Sequence, residues 1–253
     1  MSILVVNDDG IYAPGLLALA ERLREKYEVV IVSPDREQSA VGHAITLADP
    51  LRIYDVSQNG DFFGYAVSGT PADCVKLAVR VIMKKPPDLL ISGINQGANV
   101  GASLIYSGTV SAATEATMLL IPSIAVSLDT HRSDADFAPA AMFAQKIAEN
   151  VMQKGLPGGV FLNINIPALS ADLIKGIKVT RQATTYFDDF FERRIDPQGR
   201  TYYWMSGTMV EVDRGEDSDL MALRQGFVSL TPVRYDLTAR SFISQLKTWF
   251  GDE

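Results

Sequence analysis

Ile3-Leu4-Val5-Val6-Asn7-Asp8-Asp9-Gly10 joins an unbroken apolar run to two adjacent carboxylates and a glycine. Four consecutive apolar residues read as a strand buried on both faces, the habit of parallel sheets rather than of half-solvated antiparallel ones. Outward from this stretch, Leu16, Leu19, Ala20 and Leu23 recur at the spacing of one helical face behind Pro14, which suits a first helical turn. Residues 29–32 then form a second apolar run. The pattern is a β-α-β unit with Asp8 and Asp9 at the exit of its first strand.

The alternation continues along the chain. Residues 51–56 and 62–67 read as strands joined by a hairpin turn at Gln58-Asn59-Gly60-Asp61. A helix capped by Thr70 is expected from Pro71 to about Met83. Strands are predicted at 88–92, 123–126 and 160–164, with helices at 110–119 and 138–152 between them. Strands separated by helices predict a Rossmann-like three-layer α/β/α core around a mostly parallel sheet. The expected organisation is a single α/β domain over residues 1–253, with a core at about 1–170 and a C-terminal extension of β-hairpin and helix at about 171–253. In that extension Tyr186, Phe187, Phe190, Phe191, Tyr202, Tyr203 and Trp204 flank Pro197-Gln198-Gly199, the pattern of a hairpin, and residues 239–250 form a last amphipathic helix. So many aromatic residues predict a contact with another subunit; covering one end of the main domain is the alternative.

Composition narrows the function. Hydrophobic residues make up 47% and charged residues 21% of 253, which describes a folded domain with a real core. Lys and Arg number 23 against 30 Asp and Glu, a net charge of −7, which argues against gripping a nucleic-acid polymer. One cysteine, Cys74, excludes an intrachain disulfide and a cysteine metal cluster. The sequence passes from Met1 into residues 3–6 without a basic or cleavable apolar leader, and its richest apolar run, 118–128, is broken by Pro122 and too short for a bilayer. A cytoplasmic protein with no membrane partner is expected. A Walker A loop, a G-x-G-x-x-G fingerprint and a G-x-S-x-G elbow are all absent from the sequence.

Ligands of an open parallel sheet bind beyond the carboxyl ends of its strands. The residues there are small and polar: Asn7-Asp8-Asp9-Gly10, residues 33–39, Ser68-Gly69-Thr70 and Gly93-Ile94-Asn95-Gln96-Gly97. Two adjacent carboxylates at the end of a buried strand repel each other and lose hydration, so they call for a counter-charge. A divalent cation with oxygen ligands, Mg²⁺ or Mn²⁺, supplies it, and Ser39 and Asn95 could complete the shell. Asn-Asp-Asp-Gly is also a common tight turn or helix cap. The glycine-spaced segment 93–101 reads either as an anion-approaching loop or as a flexible connection. Ser107, Gly108 and Thr109 lead into a helix and could offer donors to a phosphate, or serve as a plain cap. Of the two histidines, His43 lies near Ser39 and could contact substrate or donate a proton; an exposed loop residue is the alternative.

Taken together, these motifs resemble one family. Val5-Val6-Asn7-Asp8-Asp9-Gly10-Ile11 with Ala13-Pro14-Gly15 looks like the N-terminal signature of SurE nucleotidases. Ser33-Pro34-Asp35-Arg36 with Ser39, Ser68-Gly69-Thr70-Pro71-Ala72-Asp73-Cys74-Val75, Ser92-Gly93-Ile94-Asn95 and Tyr106-Ser107-Gly108-Thr109-Val110 are similar to its following motifs. Leu162-Asn163-Ile164-Asn165-Ile166-Pro167 and Gly226-Phe227-Val228-Ser229-Leu230-Thr231-Pro232 extend the match almost to the C-terminus.

The resemblance implies a C-terminal extension used in oligomerisation, as a homodimer or homotetramer, and one divalent metal per subunit on Asp8, Asp9, Ser39 and Asn95. It also implies hydrolysis of nucleoside 5′- and 3′-monophosphates, with short-chain polyphosphate as a further substrate of some members. Asp8 and Asn95 are then the expected catalytic residues, with Ser107, Gly108 and Thr109 on the phosphate. Ala40 stands where many relatives carry glycine, and Gln96 also departs from the family pattern; both are expected to tune substrate preference. The rival expectations are a non-catalytic nucleotide or phosphate sensor using the same pocket, and a purely structural oligomer.

Overall fold

Successive residues of a strand point to opposite faces, and the first strand shows what this does here. In the computed structural model, which describes residues 1–213 and 215–251, β1 (Ser2–Val6) sends Ile3 and Val5 into one hydrophobic cluster and Leu4 and Val6 into another. All four side chains are fully buried. A strand lined on both faces must be covered on both faces, which is the physical content of three layers.

Around it lie α1 (Pro14–Arg24), β2 (Glu28–Pro34), β3 (Ile53–Gln58), β4 (Asp61–Val67), α2 (Pro71–Leu77) and β5 (Leu89–Gln96). Then follow α3 (Ser103–Tyr106), α4 (Gly108–Met118), β6 (Ser123–Asp129), α5 (Ala138–Lys154) and β7 (Val160–Pro167). Helices α1 and α5 cover one face with Leu16, Leu19, Leu23, Ala144, Ile147 and Val151. Helices α2 and α4 cover the other with Cys74, Val75, Ala112, Ala113 and Ala116. Thr70 caps α2 in a full capping box with Asp73, and beyond Leu77 the helix widens into a π turn, Ala78–Ile82. Asn59 and Gly60, both with positive φ, turn the hairpin between β3 and β4.

The C-terminal part supplies β8 (Ile177–Val179), β9 (Thr185–Ile195), β10 (Thr201–Glu211), α6 (Asp219–Arg224), β11 (Val228–Arg234) and α7 (Arg240–Phe250). The main sheet has nine strands in the order β3-β4-β2-β1-β5-β6-β7-β11-β8. From β4 to β7 neighbours run parallel; β3 and β11 are antiparallel to β4 and β7. Two strands from beyond residue 170 therefore complete the same sheet, which the apolar pattern did not foretell. Strand β8 has three residues and α6 six, too few to show a period.

Strands β9 and β10 form a separate two-stranded ribbon. Phe190, Phe191, Tyr203 and Trp204 on it are each about 60% exposed, so they do not cover the end of the main domain. Helix α7 has no buried residue at all, and Phe242, Ile243, Leu246, Trp249 and Phe250 remain exposed along it. Among the described residues no helix is long and apolar enough to cross a membrane.

One boundary differs from the sequence expectation in a way that matters for the site. Strand β5 continues through Gln96, with a register shift against β6 between Ser92 and Asn95. Gly93 permits it: a Cβ there would stand 2.4 Å from the Val126 carbonyl oxygen. Asn95 and Gln96 thus sit on the end of a strand rather than in a loop.

Candidate active site

Strand β1 has β2 on one side and β5 on the other, so the crevice beyond its carboxyl end is the position where open α/β sheets bind ligands. The turn leaving β1 is built to present its carboxylates. Asn7 is fully buried; its amide Nδ2 donates to the Gly10 carbonyl at 2.9 Å, and its Oδ1 accepts from Gly10 N–H at 3.2 Å. Gly10 holds φ +99°, a conformation that favours glycine. The Asp8 carbonyl accepts from Gln38 N–H at 2.7 Å, which ties this turn to the segment after β2.

Asp8 is buried, with Oδ1 accepting from the Thr109 hydroxyl at 2.5 Å. The N-terminus of α4 lies directly against it: a Cβ on Gly108 would meet the Asp8 Cβ at 2.7 Å. Burial pushes the Asp8 carboxyl above its ordinary range, while the Thr109 hydroxyl and the Gly108 and Thr109 N–H groups pull it back. Asp9 accepts from Gln96 N–H at 3.2 Å. Burial first, and then the neighbouring charge of Asp8, push Asp9 up to about 7. The two acids are thus held side by side at a cost that a cation would relieve.

The cavity in front of them measures about 730 Å³, the size of a small-molecule site. Asp8, Asp9, Ser39, Asn95 and Ser107 all line it. Asn95 donates its amide Nδ2 to the Gly97 carbonyl at 2.7 Å, which turns Oδ1 into the group free to accept a cation. Ser39 donates to Glu37 at 2.7 Å. Ser107 caps α4 by accepting from Val110 N–H at 3.1 Å, keeping its own hydroxyl proton to donate. Three of the four polar segments therefore meet at one edge. The fourth does not line the cavity: the Ser68 hydroxyl accepts from Arg52 N–H and Thr70 caps α2.

Gly108 and Thr109 are brought to the site but stand behind Asp8 rather than on the cavity wall. The Thr109 hydroxyl, fully buried, is committed to the carboxylate. His43 lies outside the cavity, with Nε2 2.9 Å from Glu115 Oε2, while Lys76 donates to the other carboxylate oxygen, Oε1, at 2.6 Å. Burial raises Glu115, and the bonds from His43 and Lys76 overcome that, so its carboxyl sits below the ordinary range. This pairing fastens the segment after Ser39 to α4.

His131 is the histidine that lines the cavity, packed on Gly97, where a Cβ would meet its Cε1 at 2.7 Å. It follows the end of β6 by two residues, and the carboxyl-edge rule applied to that strand would have found it. Glu37, Tyr106, Phe137, Phe187 and Met209 also contribute to the wall.

The donors share one character. Carboxylate, hydroxyl and amide oxygens fit a hard divalent cation, and among the described residues no Lys or Arg lines the cavity. Among the described residues, no group of three or more His, Cys, Asp or Glu side chains is arranged for a metal, so any cation here relies on the mixed oxygen set.

The fold and this cavity define a doubly wound α/β protein with an acidic site at the switch point of its sheet. A model of the family described as survival protein SurE matches residues 3–189, and the chain belongs to that family. It is 49% identical over 249 residues to the 5′-nucleotidase SurE of Syntrophobacter fumaroxidans, covering 98% of this chain and 99% of that one. It is 45% identical to the 5′-nucleotidase SurE of Natranaerobius thermophilus over the whole of both chains. The crystal structure of the SurE protein from Aquifex aeolicus superposes with a TM-score of 0.85 at 41% identity, covering 98% and 99% of the two chains.

Proposed function

We propose that the protein is a divalent-metal-dependent phosphomonoesterase that hydrolyses nucleoside 5′-monophosphates, with 3′-monophosphates and short polyphosphates as further substrates. The observation that carries this reading is the cavity itself, with three carboxylates (Asp8, Asp9 and Glu37) and, among the described residues, neither Lys nor Arg on its wall. Alone, such a wall repels a phosphate. With one cation held by Asp8, Asp9, Ser39 and Asn95 it becomes a phosphate site. The relatives named 5′-nucleotidases support the substrate class.

A divalent cation there would neutralise phosphate charge and lower the pKa of water. The remaining work falls to the chain. Asp8, held in one orientation by Thr109, is placed to orient the attacking water and receive its proton. Ser107, at the start of α4, offers a hydroxyl to the phosphoryl oxygens where helix N-termini favour negative charge. Asn95 fixes the far side of the cluster from the end of β5. The water oxygen bonds to phosphorus as the ester P–O bond breaks, and the proton taken up by Asp8 is returned through solvent to the leaving ester oxygen, giving nucleoside and phosphate. We also propose self-association as a dimer or tetramer through the exposed aromatic surfaces of the β9–β10 ribbon and α7.

The test is phosphate release from a panel of nucleoside monophosphates with Mg²⁺, Mn²⁺ or EDTA. Turnover should require metal, and Asp8→Asn or Asn95→Ala should lower it at least about 100-fold, since even partners of metal ligands cost 10–100-fold. Tight nucleotide binding by a folded protein without turnover under any metal would replace this reading with that of a sensor.

A further inference from the structure

Among the described residues no Lys or Arg lines the cavity, so charge does not distinguish a nucleotide from any other phosphomonoester. Discrimination has to come from the part of the substrate beyond the phosphate, and the wall offers an apolar patch suited to it. Phe187 on β9 and Met209 on β10 both line the cavity and are direct cross-strand partners. Residues opposite each other on an antiparallel pair share a face, so the two side chains form one patch at the root of the ribbon. Phe187 keeps 39% of its surface exposed, and an aromatic face so placed can receive a planar group.

The root of the ribbon is fixed relative to the polar side of the cavity. The Thr185 hydroxyl oxygen accepts from Ala102 N–H at 2.8 Å, and Gln182 Nε2 donates to the Gly101 carbonyl at 2.7 Å. Asp219, fully buried, accepts from Gly101 N–H and Ala183 N–H, each at 3.0 Å. A Cβ on Gly101 would stand 2.4 Å from the Thr185 hydroxyl oxygen, so the two segments touch. The segment gripped in this way is the one that brings Asn99, Ser103, Tyr106 and Ser107 to the cavity. Phe187 is therefore preorganised against the phosphate end rather than carried on a free arm.

We propose that Phe187, with Met209 beside it, is the platform on which the nucleobase stacks, and is the residue that selects nucleotides over other phosphomonoesters. The inference rests on the nucleotidase reading above. Stacking uses the π-face that every base possesses, so the platform confers broad base tolerance together with rejection of baseless substrates.

The experiment compares kcat/KM for AMP and for glycerol phosphate, with metal, in the full-length wild type, Phe187→Ala, Phe187→Trp and Phe190→Ala. Phe190 lies on the same strand but is not on the cavity wall, so its variant reports any general effect of disturbing the ribbon. The AMP-to-glycerol-phosphate ratio should fall about 5- to 100-fold in Phe187→Ala, mainly through KM for AMP. Phe187→Trp should retain the ratio, and Phe190→Ala should match the wild type. An unchanged ratio in Phe187→Ala, or an equal fall in Phe190→Ala, overturns the platform while leaving the nucleotidase intact. A wild type that releases phosphate from neither substrate removes the nucleotidase reading itself, and the platform with it.

Discussion

Asp9 shows how opposing forces at one residue become a measurable property. Its carboxyl is pushed up to about 7 by burial and by Asp8, so the folded, metal-free chain holds a proton there that the unfolded chain would release near 4. The sign follows directly. Relative to a neutral side chain, Asp9 costs nothing below about pH 4, costs progressively more as pH rises, and reaches its full cost above about 7. Asp9→Asn should therefore stabilise the protein in EDTA at pH 8 by ~2 kcal/mol, with the difference closing by about pH 4. Denaturant midpoints at pH 4, 6 and 8 measure this, and a variant less stable than wild type at pH 8 in EDTA would refute it. Adding Mn²⁺ should reverse the order, because a bound cation stabilises only the chain that keeps the carboxylate. The adjacent acids themselves were plain in the sequence. That the N-terminus of α4 already leans on Asp8 was not, because it depends on how that helix packs against β1. This is why the sequence brings Thr109 to the site but does not show the bond its hydroxyl donates to the Asp8 carboxylate.

At the scale of elements, one buried side chain bridges the segments after β5 and before β9, beside the bonds made by Gln182 and Thr185. Asp219 accepts from the backbone N–H groups of Gly101, Ala183 and Leu220. Burial nonetheless raises its carboxyl above the usual range. Asp219→Ala leaves three backbone donors without their carboxylate partner, two of them in buried bonds, which should cost about 2–4 kcal/mol in a urea midpoint. A loss under about 0.5 kcal/mol would show that the segments are held together by other means. The long buried strands and their helices were legible because their period spans several residues, and the hairpin at Asn59-Gly60 because its turn chemistry is specific. Asp219 was invisible for the opposite reason: it caps nothing periodic, and its partners lie 118 and 36 residues away. His43 and His131 make the same point. Proximity to Ser39 in sequence favoured His43, whereas the end of β6 carries His131 to the cavity wall.

For the molecule as a whole, the uneven distribution of apolar surface is the dominant feature. The central strands β1, β5 and β6 bury their apolar side chains on both faces, while the ribbon and α7 leave aromatic residues in water. That contrast underlies the proposed self-association; the aromatic run at 186–204 is visible in the sequence, its exposure only in the structure. Sedimentation at micromolar concentration should give a dimer or tetramer. Phe191→Ser with Trp204→Ser should shift it toward the monomer, since such aromatic anchors contribute most of an interface's energy. A wild-type chain that sediments as a monomer at every concentration tested would leave those surfaces without this role.

The order in which the chain contributes its parts to the cavity has a consequence for biosynthesis. Asp8 and Asp9 belong to the first strand made, whereas Phe187 and Met209 close the wall and β11 fills its place in the sheet only from the last third of the chain. During translation the polar wall around the acidic pair, down to Phe137, is therefore made well before its apolar side. A ribosome stalled before residue 187 should carry a nascent chain with the acidic cluster encoded and the Phe187–Met209 side of the chamber still missing.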